Sequence, residues 1–358
     1  MLFDSFKLGP LSLQNRTVMA PMTRCRAVVN NTPNELVAQY YGQRANAGLI
    51  ITEGTSPSPD GIGYARIPGL YNAEQVAGWK LATDAAHQGG AKIFIQFMHC
   101  GRVTGAANLP AGARAVGPTS ENCPGEMYTD AAGMQAHAQP HALTESEITE
   151  VVAEYAQAAK LAVEAGFDGI ELHGANGYLI EQFLNANVNS RTDGYGGSAA
   201  ARNRFALEVA KACVDAIGAD RVGMRISPYG VFNSTGAFDG VEAQYLDLVK
   251  ALSDLGLVYV HLVDHSAMGA PEVPAAFKAQ LRATFKGAFI ASGGFETVEA
   301  AEAVLAENRG DLIAFGRPFI SNPDLVHRLK NQLPLAQPDA NTFYTADAVG
   351  YTDYPTAA

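Results

Sequence analysis

The chain has 358 residues, 47% of them hydrophobic, and a formal net charge of −11 at pH 7. This length and apolar content suffice for a large buried core, as is typical of a globular enzyme. An acidic chain without a Lys/Arg-rich run repels phosphate backbones and anionic lipids. Its apolar runs are shorter than the roughly 20 residues that a membrane-spanning helix needs. We therefore expect small-molecule partners and neither nucleic-acid nor membrane partners.

The N-terminal residues and the cysteines indicate a location. Met1–Phe6 contains no basic segment followed by an apolar one, so the sequence predicts no secretory signal. The four cysteines (Cys25, Cys100, Cys123 and Cys213) have no CxxC spacing and do not cluster. Free thiols in a reducing compartment are expected, with no metal site. Both observations predict a cytoplasmic protein.

Short apolar runs alternate with longer amphipathic segments along the chain. Continuous β-branched runs are typical of strands buried on both faces of a parallel sheet. The predicted strands are Arg16–Pro21, Leu49–Thr52, Lys92–Phe97, Gly169–Leu172, Arg221–Ile226, Val258–Leu262, Ala288–Ala291 and Leu312–Phe315. The predicted helices are Asn34–Ala47, Ala73–Gln88, Glu145–Ala165, Ala199–Ile217, Val241–Leu255, Pro274–Phe285 and Val298–Glu307.

Strands alternating with helices are compatible with an open doubly wound sheet or a closed barrel. Eight such units in about 300 residues favour the barrel. The sequence thus predicts one α/β domain over residues 1–358, a (β/α)8 TIM barrel. A Gly/Pro-rich insertion at about 99–141 is too long for an ordinary loop and lies where barrel enzymes carry a lid. A C-terminal tail covers about 331–358.

Polar residues and glycines follow the predicted strands, at the end where barrel active sites are built. Six of the eight strands deliver such residues to that face: Pro21–Arg24, Gln96–His99, His173–Tyr178, Arg225–Pro228, Ser292–Gly294 and Gly316–Pro318. Because parallel strands end at one mouth of a barrel, this convergence predicts an active site there. His137, His141, His261 and His265 share no ligand pattern, so we expect them to be surface or core residues.

The last two strands indicate a phosphate site. Gly293 and Gly294 follow the seventh strand, and Gly316 and Arg317 follow the eighth. Glycine lets the backbone approach a phosphate closely, and an arginine can bind it through two hydrogen bonds. Phosphate-binding barrels place the phosphate at this position. Two ordinary turns are the alternative.

Three further polar residues match the needs of a flavin ring. Arg225 lies in an apolar strand, so it must be paired or face an anion. A flavin would be such a partner because its reduction places negative charge along the N1–C2=O edge, and a structural salt bridge is the alternative. Gln96 offers donors and an acceptor to a pyrimidine edge. The Thr23 hydroxyl can donate to flavin O4, which tunes hydride acceptance.

One predicted loop carries His173, Asn176 and Tyr178. His173 and Asn176 can donate to one carbonyl oxygen and stabilise the enolate formed by hydride addition. Tyr178 is a weak acid that can protonate the adjacent carbon. The alternatives are a tyrosine that packs on the next helix and a histidine that the backbone satisfies.

These residues resemble the Old Yellow Enzyme family, and the resemblance spans essentially the whole chain. The Asn189–Gly197 and Gly350–Pro355 segments are highly specific to it. The other matching segments are Ala20–Arg24, Tyr40–Ala45, Gly48–Gly54, Ala165–Asp168, His173–Tyr178 and Phe315–Arg317.

The resemblance implies a barrel that holds FMN non-covalently at its C-terminal mouth. NADH or NADPH reduces the flavin and leaves, and an alkene then takes its place. Carried over by motif, the ring contacts are Pro21, Met22, Thr23, Gly54, Gln96 and Arg225, and the phosphate contacts are Gly293, Gly294, Gly316 and Arg317. Likewise, the substrate contacts are His173, Asn176, Tyr64, Met98 and Tyr344, and the proton donor is Tyr178.

The sequence departs from many relatives around the substrate. Many have a second histidine at the position of Asn176. Because asparagine does not titrate, oxygen binding should depend less on pH in this chain. Many also have a tryptophan at the position of Met98, so the pocket wall should be more pliable here. Quinones, nitro-compounds and nitrate esters are alternative acceptors. A flavin barrel oxidase or a flavin-binding protein without turnover is an alternative class. Monomer and homodimer are both open.

Overall fold

The structure, a computed structural model, describes residues 1–357. Within them, eight parallel strands close into a barrel in which each strand pairs with the next in the chain and the last pairs with the first. The barrel strands are β1 (Thr17–Met19), β2 (Leu49–Ile51), β3 (Lys92–Phe97), β4 (Gly169–Gly174), β5 (Val222–Ile226), β6 (Tyr259–Val263), β7 (Ala288–Ser292) and β8 (Leu312–Phe315). The predicted barrel is confirmed.

At least one helix follows each barrel strand. The helices are α1 (Glu35–Gln43), α2 (Ala73–Gln88), α3 (Glu145–Glu164), α4 (Leu179–Leu184), α5 (Ala199–Ile217), α6 (Val241–Asp254), α7 (Ala275–Thr284), α8 (Val298–Ala306), α9 (Arg317–Ser321) and α10 (Leu325–Lys330). Helix α1 ends four residues before the predicted end because the backbone leaves helical geometry at Arg44. Among residues 1–357, no helix is both long and apolar enough to cross a membrane.

One end of the barrel is filled by apolar side chains. Phe94 and Tyr259 pack there with ring centroids 5.6 Å apart. A Cβ atom at Gly169 or Gly223 would overlap these two rings, so the strands carry glycine where the rings need space. The N-terminal hairpin (Phe6–Leu8 paired with Leu11–Leu13) adds its leucines to this cluster. A ligand therefore has to enter from the opposite end, where the strands end.

The 99–141 insertion contains its own small sheets. They are the hairpin Glu126–Thr129 with Gly133–Ala136 and the short parallel pair Val116–Gly117 with His141–Ala142. Its core residues Val103, Cys123 and Met127 pack against Tyr64 and Tyr178. The insertion therefore lies beside the barrel mouth, and its action as a lid stays a prediction.

The C-terminal tail is bound to the barrel by arginines that follow β1. Tyr351 stacks on Tyr40 with ring centroids 4.0 Å apart. The Arg24 guanidinium donates to the Gly350 carbonyl at 2.7 Å, and the Arg26 guanidinium donates to the Phe343 carbonyl at 2.6 Å. These contacts return the tail to the barrel mouth.

Helix α3 begins with the capping box that the sequence predicts. The Thr144 hydroxyl accepts from the Glu147 backbone N–H, and the Glu147 carboxylate accepts from the Thr144 N–H at 2.8 Å. We expect Thr144→Ala to lower the free energy of unfolding by about 1 kcal/mol, because one helix N–H loses its acceptor. Urea denaturation measures this change. Thr144→Ser keeps the hydroxyl and should retain most of the stability, so equal losses in both variants would contradict the prediction.

Candidate active site

The strand ends open into a cavity of about 540 Å³. This volume lies within the roughly 300–1,000 Å³ of small-molecule sites. Every residue predicted for the site lines this cavity. They are Pro21, Met22, Thr23, Gly54, Tyr64, Gln96, Met98, His173, Asn176, Tyr178, Arg225, Gly293, Gly294, Gly316, Arg317 and Tyr344. The structure thus brings the predicted residues together, and their individual roles stay predictions.

Several residues that the sequence did not indicate also line the cavity. Phe232 and Asn233 come from the loop after β5, Asp264 and His265 follow β6, and Phe343 comes from the tail. For Asp264 and His265, the only available signal was their position directly after a strand. For the tail residue, the sequence contained no signal, because its place depends on contacts that span some 320 positions of the chain, such as Arg26 with Phe343.

A buried carboxylate organises the polar floor of the cavity. Glu171 on β4 accepts from Gln96 Nε2 at 2.8 Å and from His261 Nδ1 at 2.9 Å. Burial lowers the pKa of His261, against the opposing effect of Glu171. The Gln96 amide therefore directs one N–H at Glu171. Its carbonyl oxygen and other N–H are available to a ligand in the cavity.

Arg225 stands between His173 and His261 in the strand register and is 7% exposed. Its Nε has no hydrogen-bond partner within residues 1–357. Burial lowers the pKa of the guanidinium, and nearby Glu171 opposes that effect. No carboxylate forms an ion pair with Arg225 within residues 1–357, so the alternative of a structural salt bridge does not account for it. A buried guanidinium of this kind requires an electron-rich or anionic ligand.

The opposite end of the cavity has open backbone. A Cβ atom at Gly316 would meet only Met22 Sδ, at 3.9 Å, within 4 Å, and one at Gly293 would lie 3.5 Å from its nearest neighbour, Asp264. Gly294 has φ +73°, a conformation that favours glycine. Arg317 is exposed at this end. Accessible backbone beside a cation fits a phosphate group.

His173, near the end of β4, and Asn176, in the loop that follows, lie at the mouth. Burial, followed by the charge of Arg225, lowers the pKa of His173 well below its ordinary value, so the ring is neutral at neutral pH. Asn176 has φ +60°, which asparagine tolerates better than most residues. Its N–H donates to Ser227 Oγ at 2.9 Å, and its carbonyl accepts from Asn233 Nδ2 at 2.7 Å. Both side chains are thus presented as neutral groups.

Tyr178 ends this loop, directly before α4. Its ring lies 4.9 Å from the His173 ring, and its hydroxyl is 3.1 Å from the Tyr64 hydroxyl. Burial, followed by Tyr64, raises the pKa of Tyr178 well above its ordinary value. The phenol therefore keeps its proton at neutral pH. The packing alternative for Tyr178 does not describe it fully, because Tyr178 lines the cavity and its hydroxyl contacts the Tyr64 hydroxyl.

Met98 forms an apolar wall beside these polar groups. Its side chain occupies the space that a Cβ atom at Gly54 would need, so glycine at position 54 permits this arrangement. Apolar walls, the Gln96 and Arg225 donors, the Thr23 hydroxyl and the open glycine backbone together suit a flat heteroaromatic ring that carries a phosphate. These residues fit FMN.

Comparison with known proteins agrees with this fit. Residues 1–336 match the family described as NADH:flavin oxidoreductase / NADH oxidase. The chain is 40% identical over 358 residues to 12-oxophytodienoate reductase 1 of Oryza sativa subsp. japonica, covering 99% of this chain and 92% of that protein.

Two solved structures are similar over nearly the whole chain. Morphinone reductase in complex with tetrahydroNAD matches with a TM-score of 0.94 and 41% identity, covering 100% of this chain and 98% of that one. The Old Yellow Enzyme homologue from Zymomonas mobilis matches with a TM-score of 0.94 and 36% identity, covering 99% of both chains.

Barrel, cavity and comparisons define a flavin-dependent oxidoreductase. The chain belongs to the NADH:flavin oxidoreductase / NADH oxidase family, which includes Old Yellow Enzyme. Its cofactor is FMN, and its hydride donor is a reduced nicotinamide cofactor. The predicted family, enzyme class and cofactors are confirmed.

Arg225 should contribute strongly to flavin binding. We expect Arg225→Gln to raise the Kd for FMN roughly tenfold to a hundredfold, because hydrogen bonds from a charged donor are worth about 1.5–3 kcal/mol. Fluorescence titration of the apoprotein with FMN measures this Kd. Arg114→Gln makes the same change at an arginine paired with Glu147 outside the cavity. Equal Kd values for both variants would contradict a flavin contact by Arg225.

Proposed function

We propose that this enzyme reduces the C=C bond of α,β-unsaturated carbonyl compounds and related electron-poor alkenes. The observation that carries this proposal is that His173, Asn176 and Tyr178 line the same cavity as Thr23, Gln96 and Arg225. Bound FMN supplies hydride-transfer chemistry between the nicotinamide cofactor and the alkene. The names of the relatives, 12-oxophytodienoate reductase and morphinone reductase, support a substrate with a carbonyl group.

His173 and Asn176 bind the substrate oxygen in this proposal. They lie three residues apart, at the end of β4 and in the loop that follows it, and the lowered pKa of His173 keeps its ring neutral. Two neutral donors polarise the C=C–C=O system and stabilise the negative charge that develops on the oxygen. Because neither donor titrates near neutral pH, this stabilisation is available across the physiological range.

Tyr178 supplies the proton. Hydride addition at the β-carbon leaves the electron pair of the broken π-bond delocalised between the α-carbon and the oxygen. The Tyr178 hydroxyl transfers its proton to the α-carbon, and the resulting phenolate is reprotonated from water. The Tyr64 hydroxyl, 3.1 Å away, is the hydrogen-bond partner of the Tyr178 hydroxyl. A raised pKa keeps Tyr178 protonated until a strongly basic carbon is present.

The alternative of a flavin barrel oxidase, such as one that oxidises a 2-hydroxy acid, requires a base beside the flavin. The lowered pKa of His173 makes it a weak base, and Tyr178 carries a proton. Reduction of quinones, nitro-compounds or nitrate esters would use the same oxygen donors. Those acceptors do not need a proton delivered to carbon, so a substitution of Tyr178 should affect the reduction of alkenes and not that of these acceptors.

We propose further that the chain is one domain and that the insertion restricts access to the cavity, because its core packs on Tyr64 and Tyr178. The acidic charge and free cysteines support a cytoplasmic enzyme. A monomer or a homodimer is proposed.

The main test uses the holoenzyme under anaerobic conditions. We expect a yellow protein whose flavin absorbance is bleached by NADPH or NADH. Addition of 2-cyclohexenone should restore the absorbance and yield cyclohexanone. A protein that binds no flavin, or a reduced flavin that cyclohexenone leaves reduced, would refute the proposal.

Tyr178→Phe should separate the two half-reactions. We expect flavin reduction by NADPH to change by less than about threefold, whereas reoxidation by cyclohexenone slows by roughly 10²–10⁴-fold, because only the second half-reaction needs the proton donor. Stopped-flow absorbance measures both rates. Tyr128→Phe removes the hydroxyl of an exposed tyrosine in the insertion and serves as the control. Equal slowing of both half-reactions would reject Tyr178 as the proton donor.

A further inference from the structure

His265 contacts the side chain of a proposed substrate-binding residue. It follows β6 and lines the cavity, although the sequence indicated only a surface or core histidine. Its Nε2 lies 2.7 Å from Asn176 Oδ1. Its ring packs edge-on against Phe232, with centroids 4.8 Å apart. The contact joins two loops whose residues are 89 positions apart in the chain.

The loop that carries His265 is held in place from both sides. Asp264 Oδ1 accepts from the Ser266 N–H at 2.9 Å, and Asp264 Oδ2 accepts from Lys278 Nζ on α7 at 2.6 Å. The carbonyl of His265 accepts from the Met268 N–H at 2.8 Å. These bonds define the turn, so the imidazole is directed at Asn176 by the loop itself.

The backbone contacts of Asn176 do not fix the orientation of its side-chain amide. Ser227 and Asn233 bind the peptide groups of Asn176 and do not touch its amide. Rotation of that amide by 180° exchanges Nδ2 and Oδ1. With Nδ2 toward the cavity, Asn176 donates to a substrate oxygen. With Oδ1 toward the cavity, it repels the same oxygen.

We propose that His265 is a positioning residue that donates from Nε2–H to Asn176 Oδ1 and thereby turns the amide donor toward the substrate oxygen. This inference rests on the proposed function, in which Asn176 binds that oxygen. Burial, followed by the charge of Arg225, lowers the pKa of His265 to about 4. The ring is therefore neutral at neutral pH and has one N–H. Because Asn176 Oδ1 can only accept a hydrogen bond, the 2.7 Å contact requires that N–H on Nε2.

The nearby charged groups are compatible with a neutral donor. Asp264, the adjacent carboxylate, is ion-paired with Lys278 and directs its oxygens at that lysine and at backbone N–H groups. Arg225 is the cation that acts on His265 from inside the barrel. His265 therefore acts through Asn176 and has no charge of its own to offer a substrate.

The probe is a phenol, 4-chlorophenol, titrated into oxidised holoenzyme and followed by flavin absorbance. The phenol oxygen takes the place proposed for the substrate oxygen, so the Kd reports binding by the two donors, His173 and Asn176, without turnover. His265→Phe keeps an aromatic ring against Phe232 but has no donor. We expect its Kd for 4-chlorophenol to rise roughly tenfold, as for one lost hydrogen bond. His265→Gln can place an amide N–H near the former Nε2, so its Kd should stay within about threefold of the wild-type value.

A double-mutant cycle distinguishes positioning from direct contact. In an Asn176→Ala background, His265→Phe should no longer change the Kd, because the group that His265 orients is missing. The same roughly tenfold increase in both backgrounds would mean that His265 binds the ligand itself and would overturn the proposal. An unchanged Kd in the single His265→Phe variant would overturn it as well.

Flavin content, read from the absorbance spectrum, shows whether each variant is intact. If the His265→Phe variant loses FMN, the His265→Glu variant is used in its place. A carboxylate at position 265 accepts from Asn176 Nδ2 and turns the amide donor away from the substrate. We then expect weaker phenol binding by the Glu variant than by the Gln variant, and equal binding would overturn the proposal. The proposed function fails by a different result, in which cyclohexenone leaves the reduced wild-type flavin reduced. The phenol titrations require no turnover, so the two failures are distinguishable.

Discussion

The positive charge of Arg225 is the constraint on which the rest of the site depends. It is buried at the cavity floor, and its Nε has no partner within residues 1–357. Burial lowers the pKa of all three surrounding histidines (His173, His261 and His265), and the charge of Arg225 adds to that effect. The buried guanidinium therefore requires an electron-rich ligand, and the imidazoles around it are neutral.

Glu171 makes that buried charge tolerable without satisfying it. Its carboxylate accepts from Gln96 and His261, and its charge supports the protonated state of Arg225. An isolated buried ion carries a large desolvation cost, which a nearby opposite charge offsets. Within residues 1–357 the carboxylate bonds Gln96 and His261 and not the guanidinium, so the guanidinium keeps its donors for the cavity. The barrel interior therefore has an apolar layer at one end and a compensated ionic layer at the cavity floor.

The sequence predicted what depends on local pattern and barrel topology. Lys92–Phe97 and Leu312–Phe315 were predicted with the observed bounds because each is built on an apolar run, Ile93–Ile95 in the first and the whole strand in the second. Thr23, His173 and Arg225 meet in one cavity because the ends of parallel strands converge in any closed barrel. Helix α4 was not predicted, because six residues are too few to display helical periodicity.

What the sequence could not show depends on contacts between distant loops. The relation of His265 to Asn176 arises from the turn that Asp264 makes with Lys278, and no spacing rule connects these residues. Glu171 is similar, because a single carboxylate within an apolar strand does not reveal that Gln96 and His261 lie beside it. Pairwise chemistry of this kind becomes visible only when the strand register is known.

The position of the tail follows from the residues that adjoin the flavin site. Thr23 lines the cavity, and the next residue, Arg24, donates from its backbone to Glu53, which precedes Gly54. The Arg24 and Arg26 side chains bind the carbonyls of Gly350 and Phe343. One short segment after β1 thus contributes to the cavity wall, joins it to the end of β2 and holds the tail residues at the mouth. Tyr344 lines the cavity because of these bonds, so the tail is a structural part of the site.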